Sequence, residues 1–229
     1  MVQQMTLPPL VRGEWFRMTA EEFDAWVPEG LRAEWYGGKG MIFVSTGTWH
    51  GLLVLLFGEL LRRYCELFDL GQVFLGAVEL RLPSGARLEP DVVVVLKRDL
   101  DRVHPKWVDG PAGLSVEFVS ENSVGRDRAV KRRALEEAGQ PEYLMVDTIV
   151  RASEPEFLRL NETGIYDRVQ PDDQGRYHSE VLPGFWFHPD WFRQDALPDL
   201  DDLLLQIAPE AYAARLLAKI RDRIDGDGR

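Results

Sequence analysis

Pro90-Asp91-Val92-Val93-Val94-Val95-Leu96 and, further along, Leu114-Ser115-Val116-Glu117-Phe118-Val119 are the two stretches that decide how this chain is read. The first is a continuous β-branched run, the pattern of a strand buried on both faces. The second is a shorter apolar strand interrupted by Ser115 and Glu117. Each strand carries an acid where a core strand is otherwise apolar, Asp91 at the start of one and Glu117 inside the other. An ionised carboxylate in a sheet is costly unless it is paired, hydrogen-bonded or bound to metal. If the strands are neighbours, the two carboxylates fall roughly 4–6 Å apart, a spacing that a hard cation such as Mg²⁺ can bridge. Spacing alone leaves the plainer alternative open: a strand-end cap, or a salt bridge to a nearby arginine.

Outward from these strands the pattern alternates between helix and sheet. Apolar residues recur at helical spacing from Trp49 to Phe68, with Gly71 as the expected stop. Thr19-Ala20-Glu21-Glu22 reads as a capping box opening a short helix through Trp26. Residues 31–44 read as two short strands around Gly37-Gly38-Lys39-Gly40, and residues 73–82 as strand. Residues 97–113 read as loop. A helix is expected over 124–138, a buried strand over Tyr143–Asp147, and a meander of shorter strands from Arg151 to Phe187. Beyond Asp190, Leu200, Leu203, Leu204, Ile207, Tyr212, Leu216 and Ile220 mark a C-terminal helical extension. It is expected to pack on the domain or on a second subunit. Trp186, Phe187, Trp191 and Phe192 are expected to close the core or cover an interface.

Arg126-Asp127-Arg128-Ala129-Val130-Lys131-Arg132-Arg133 inverts the charge of a chain whose formal net charge is −11. Asp127 and Lys131 are four apart and can form a surface ion pair. The alternative is that Lys131 turns back to the carboxylates and stabilises charge on a phosphate oxygen, while Arg128 and Arg132 hold backbone phosphates. His50 can be a ligand, a base or a hydrogen-bonder at a helix start, and Glu34 is an unusual residue for a short strand. His104, His178 and His188 show no metal-ligand spacing. Gly37-Gly38-Lys39-Gly40 lacks the spacing of a phosphate loop.

The overall acidity argues against tight nucleic-acid binding, which draws most of its non-specific affinity from phosphate neutralisation. It does not exclude a basic patch or a cation bridging carboxylate to phosphate. With 229 residues, 45% of them hydrophobic, the chain can bury a sizeable core. No apolar run approaches the ~18–20 residues of a membrane helix, and no signal peptide is expected at Met1–Leu10. Cys65 is the single cysteine; a buried, inert thiol and a reduced cytoplasmic setting are expected.

The order of these features resembles the Uma-type family of bacterial proteins, assigned to the PD-(D/E)XK nuclease superfamily. The resemblance runs from Met18 to Phe192. It rests on Met18-Thr19-Ala20-Glu21-Glu22-Phe23, Glu34 with Gly38, His50 opening the long helix, Pro90-Asp91-Val92-Val93-Val94 and Val116-Glu117-Phe118-Val119-Ser120. Asp127, Lys131, Ala138-Gly139-Gln140-Pro141-Glu142-Tyr143, Val146-Asp147 and Val181-Leu182-Pro183-Gly184-Phe185 complete it. The resemblance implies an α/β (α+β) restriction-endonuclease-like domain over residues 18–192, with a mixed central sheet flanked by helices. An N-terminal arm, 1–17, precedes it and the helical extension, 193–229, follows.

It also implies Asp91 and Glu117 as ligands of Mg²⁺, with Mn²⁺ as a substitute, Lys131, Glu34 and His50 as further site residues and DNA as the substrate. The superfamily lysine that follows the acid by two positions is Val119 here, and Lys131 is the matching position on the next helix. Glu121 stands where the family has proline, Leu135 where tyrosine is common, and Leu144 where an aromatic often follows Glu-Tyr. The expected function is Mg²⁺-dependent endonuclease cleavage by a homodimer, a form suited to cutting both strands. The alternatives are an inactive binding or regulatory module on the same fold, and an acid-base enzyme acting on a small molecule.

Overall fold

The computed structural model describes residues 8–28, 31–43, 47–76, 78–119, 125–148, 150 and 153–226, without the side chains of residues 125–128, 130, 225 and 226. After a short strand β1 (Phe16–Arg17), Thr19 caps helix α1 (Ala20–Trp26). The Thr19 hydroxyl accepts from the Glu22 amide and the Glu22 carboxylate from the Thr19 amide, so the expected capping box is formed. Strands β2 (Ala33–Tyr36) and β3 (Lys39–Ile42) pair across Gly37-Gly38 alone, with Lys39 and Gly40 already in the strand. Both turn glycines have positive φ, 58° and 74°, as a two-residue hairpin turn of this hand requires.

Helix α2 (Thr48–Phe68) is the long helix read from periodicity and ends at Phe68 as read, but the residue that closes it is not Gly71. Asp69 closes it in the left-handed conformation, φ 54°. Gly71 instead opens strand β4 (Gly71–Leu75), because a Cβ there would lie 2.1 Å from the Val95 carbonyl oxygen. The chain then makes β5 (Glu79–Arg81), β6 (Arg87–Leu88), β7 (Val92–Leu96), a 3-10 turn at Lys97–Arg102 and β8 (Trp107–Asp109). The stretch 73–82 is thus two strands in two different sheets, and 97–113 is not loop throughout. The reason is tertiary: β8 exists because it pairs in parallel with β5, a partner no local pattern reveals. Strand β9 (Leu114–Val119), helix α3 (Gly125–Glu137) and strand β10 (Glu142–Asp147) follow as read. Then come β11 (Glu156–Leu160), β12 (Tyr166–Arg168), β13 (Tyr177–His178), β14 (Trp186–Phe187), a 3-10 turn at Pro189–Phe192, α4 (Leu200–Ile207) and α5 (Pro209–Gly226).

Among the described residues two mixed six-stranded sheets result, ordered β1-β3-β2-β6-β5-β8 and β12-β11-β10-β9-β7-β4, with β13-β14 as a small ribbon. The second sheet is the centre. Val92, Val94 and Leu96 on one face of β7 join Leu114, Val116 and Phe118 of β9 in a core under α2; Val93, Val95, Val119 and Tyr143 face the first sheet and α3. Burial on both faces explains why β7 is a continuous apolar run, each valine contributing about 1.5–3 kcal/mol. Phe187, Trp191 and Phe192 are buried in the α2-side core. So are Leu203, Leu204, Ile207 and Tyr212, so the C-terminal extension packs on its own chain. Among the described residues no helix is long and apolar enough to cross a membrane.

Candidate functional site

The chain crosses between the two sheets at Glu89-Pro90-Asp91, between β6 and β7. Pro90 has no N–H to give to a ladder, which suits it to this crossing. Strands β7 and β9 are antiparallel, with Val94 opposite Leu114, Val93 opposite Ser115 and Val92 opposite Val116. One step further along the same register sets Asp91 opposite Glu117, and opposed residues of an antiparallel pair share a face. The two misplaced acids of the sequence are therefore one feature at one end of one strand pair.

Asp91 is buried and held on both oxygens. Its Oδ2 accepts from the Phe118 amide at 2.8 Å and meets His50 Nε2 at 3.0 Å, and its Oδ1 accepts from the Arg32 guanidinium at 2.8 Å. Burial alone pushes this carboxyl up, but His50, Arg32 and the Phe118 amide outweigh it and hold Asp91 below its ordinary value. His50 belongs to the first turn of α2, so a helix N-terminus delivers it to the carboxylate.

Glu117 lies in a different environment. Burial pushes it up to about 7; Lys131 opposes that, and the nearby Asp91 and Glu34 add to it. Lys131 is buried and turned inward from α3, with Nζ 2.5 Å from Glu34 Oε1 and 2.5 Å from Glu117 Oε1. Burial lowers its affinity for the proton, but the two carboxylates more than reverse that and keep the ammonium charged. Glu34 Oε1 also accepts from the Glu89 amide at 2.8 Å, so β2 clasps the crossing segment.

The solvated-face alternative for Lys131 is thereby replaced, because two buried carboxylates draw the ammonium in. Asp127 and Arg128 have side chains outside the described ones. Arg132 is part-exposed and pairs with Glu156 at 3.0 Å. His104, His178 and His188 stand apart from this cluster, each against an aspartate: Asp109, Asp172 and Asp190.

Sequence reading missed Arg32 and Glu89. Arg32 spans Asp91 and the Glu89 backbone oxygen, to which it donates at 2.7 Å. Burial pushes the Glu89 carboxyl up to about 7, reinforced by Glu34 and opposed by Arg32. The signal was present: Arg32 and Glu34, like Glu89 and Asp91, are two apart, and such residues on an extended chain share a face.

Hard oxygen donors are what Mg²⁺ takes, one or two carboxylates sufficing when water and phosphate oxygens complete the shell. Among the described residues no group of three or more His, Cys, Asp and Glu side chains forms a cage that could hold a metal ion. Asp91 and Glu117 offer the pair. Glu117 Oε1 is buried and, although close to Lys131, accepts no well-aligned hydrogen bond; Glu89 Oε2 is likewise unsatisfied. Fully ionised, Glu34, Glu89, Asp91 and Glu117 exceed Arg32 and Lys131 by two charges, the charge of one divalent cation. The donor set fits such an ion.

A central mixed sheet flanked by helices and by a second mixed sheet makes up this restriction-endonuclease-like fold. The fold is shared with a solved structure from Anabaena variabilis ATCC 29413 described as "a putative nuclease belonging to DUF820". The TM-score is 0.59 at 11% identity, over 77% of this chain and 97% of that one. The chain belongs to the Uma2 family, described as "Putative restriction endonuclease", whose profile matches residues 20–191. Comparison with curated proteins returns no match.

Proposed function

We propose that this protein is a Mg²⁺-dependent endonuclease that hydrolyses DNA phosphodiester bonds, with the cation held by Asp91 and Glu117. The observation that carries the reading is the β7–β9 register, which carried one residue past Val92 brings Asp91 level with Glu117, with Asp91 on the Phe118 amide and Lys131 on Glu117. Family membership supports the reaction class. Such an ion, Mg²⁺ or Mn²⁺, supplies Lewis-acid stabilisation of charge on a phosphoryl oxygen. Each protein group then has a task. His50 and the Phe118 amide fix the Asp91 carboxylate, so that it meets a cation without rearranging. Glu34 holds Lys131 Nζ at the edge of the pair, where a fixed ammonium stabilises developing negative charge in a water-poor setting. Arg128 and Arg132 contact the flanking backbone phosphates.

Residues 18–192 form the catalytic domain in this reading, and residues 193–229 support a homodimer that presents two sites to the two strands. The exposed apolar stripe Leu217, Ile220 and Ile224 on α5 is the surface available for that contact. A reduced, cytoplasmic setting suits the single buried cysteine.

The test is plasmid nicking by purified protein in Mg²⁺ or Mn²⁺, abolished by chelator and by Asp91→Ala. Nicking that survives in the variant refutes the site. No nicking of any substrate, together with no divalent-ion heat in calorimetry, favours a non-catalytic module on the same fold.

A further inference from the structure

Among the described residues of the cluster, Arg32 is the cation that the proposed roles leave unused, and its placement is specific. Asp91 Oδ2 is already taken by His50 and the Phe118 amide, which leaves Oδ1 as the oxygen for a further partner. The Arg32 guanidinium sits on that oxygen at 2.8 Å.

A second position lies beside it. Arg32 Nε is 3.7 Å from Glu89 Oε2, too far for a hydrogen bond, and both atoms are buried without one. A movement of about 0.8 Å would close that gap to ordinary hydrogen-bonding distance. The guanidinium is also steadied by the Glu89 carbonyl at 2.7 Å and by the Phe43 ring, whose centroid is 4.8 Å away. It is the most solvent-accessible charged group of the set, 26% exposed against 9% for Lys131 and 4% for Asp91. A phosphate approaching from solvent meets this group first, and a guanidinium matches phosphate geometry with two parallel donors.

We infer that Arg32 and a divalent cation compete for Asp91 Oδ1, and that a substrate phosphate relieves the competition by drawing Arg32 toward itself and Glu89. The inference rests on the reading of Asp91 as a cation ligand. Its consequence is linkage: if phosphate favours the displaced arginine and the cation requires it, each raises the affinity for the other by the same factor. Arg32 then makes cation binding conditional on the presence of the polyanion. It is a positioning residue that keeps the acidic pair from holding a metal tightly when no substrate is bound.

The experiment compares full-length protein with Arg32→Met. Mn²⁺ binding is titrated by the loss of the free-ion magnetic-resonance signal, and duplex binding is followed by fluorescence anisotropy at rising Mn²⁺. In the absence of DNA, Arg32→Met is expected to bind Mn²⁺ at least tenfold more tightly than the unaltered protein. Mn²⁺ should tighten duplex binding at least tenfold in the unaltered protein and by a clearly smaller factor in the variant, which keeps only the direct contact between cation and phosphate. An Mn²⁺ affinity in Arg32→Met that is unchanged or weaker overturns the inference. Should Arg32→Met not fold, Arg32→Gln, which keeps a donor for the Glu89 carbonyl, is read by the same criteria. Unaltered protein that binds no Mn²⁺ even with duplex present, or Mn²⁺ binding that persists in Asp91→Asn, overturns instead the metal reading on which this one stands.

Discussion

Replacing Lys131 by methionine tests the electrostatics of the cluster without reference to turnover. The side chain keeps its approximate length and loses only the ammonium. In the folded protein Glu34 Oε1 and Glu117 Oε1 each lie 2.5 Å from Nζ, so they are no more than 5 Å from one another. Without the cation, two buried carboxylates face each other at that distance, and Glu117, already pushed up to about 7 with Lys131 in place, must either take up a proton or bear the repulsion. At an effective dielectric of about 20 their repulsion is roughly 3 kcal/mol. Removing one partner of a buried ion pair typically costs about 3–5 kcal/mol.

Urea unfolding of Lys131→Met at pH 8 in chelator should therefore show a loss of that size. With a slope of about 2–3 kcal/mol per molar, the midpoint falls by roughly 1–2.5 M. Adding Glu34→Gln to the variant removes one of the two facing charges and should recover at least half of the loss, a coupling that a double-mutant cycle measures directly. A loss below about 1 kcal/mol in Lys131→Met, or no recovery in the double variant, would mean that the ammonium does not neutralise this pair, and the reasoning fails.

Three further outcomes follow from other parts of the structure. Cys65 is buried and its thiol is pushed up to about 12 by burial, so an aromatic disulfide reagent should leave native protein unlabelled and react fully in urea; stoichiometric labelling of folded protein within minutes contradicts this. Hydrogen bonding to Arg62, reinforced by Arg63, holds the Glu59 carboxyl down at about 2, against an ordinary value of 4.5. A depressed carboxyl stabilises the fold above its unfolded-state value and loses that contribution as pH falls toward 2. Glu59→Gln should thus cost less than about 1 kcal/mol at pH 7, because the pair is partly exposed and screened. The gap to the unaltered protein should narrow below pH 4.5 and in high salt; a gap that widens toward acid reverses the sign and refutes the assignment. Gly71→Ala would set a Cβ 2.1 Å from the Val95 carbonyl oxygen. It should cost about 2 kcal/mol or more, lowering Tm by roughly 5 °C or more, and an unchanged melting curve would show that β4 can shift away from β7.

Local pattern determined the elements whose burial is uniform or strictly periodic. The valine run fits a strand covered on both faces, and Leu52, Leu53, Leu56, Leu60, Leu61 and Tyr64 recur at helical spacing, all but Leu52 buried along one face of α2. It also singled out Asp91 and Glu117, because an acid in an apolar strand needs a partner wherever that strand ends up. What the sequence left open was the identity of the partners. Register set Asp91 opposite Glu117, and two carboxylates from different sheets turned Lys131 inward from a helix whose composition suits a solvated surface. Arg32 and Glu89 carried only the weak signal of a two-residue spacing from Glu34 and Asp91, for the same reason. An arginine before a short strand and a glutamate before a proline are ordinary in sequence, and their meaning arises only where the two sheets meet. Pairing of β8 with β5, and the close approach of Gly71 to Val95, are likewise contacts between distant residues, which no local periodicity encodes. The chain thus declared by itself which charges were out of place, and only the tertiary structure decided which of them answer one another.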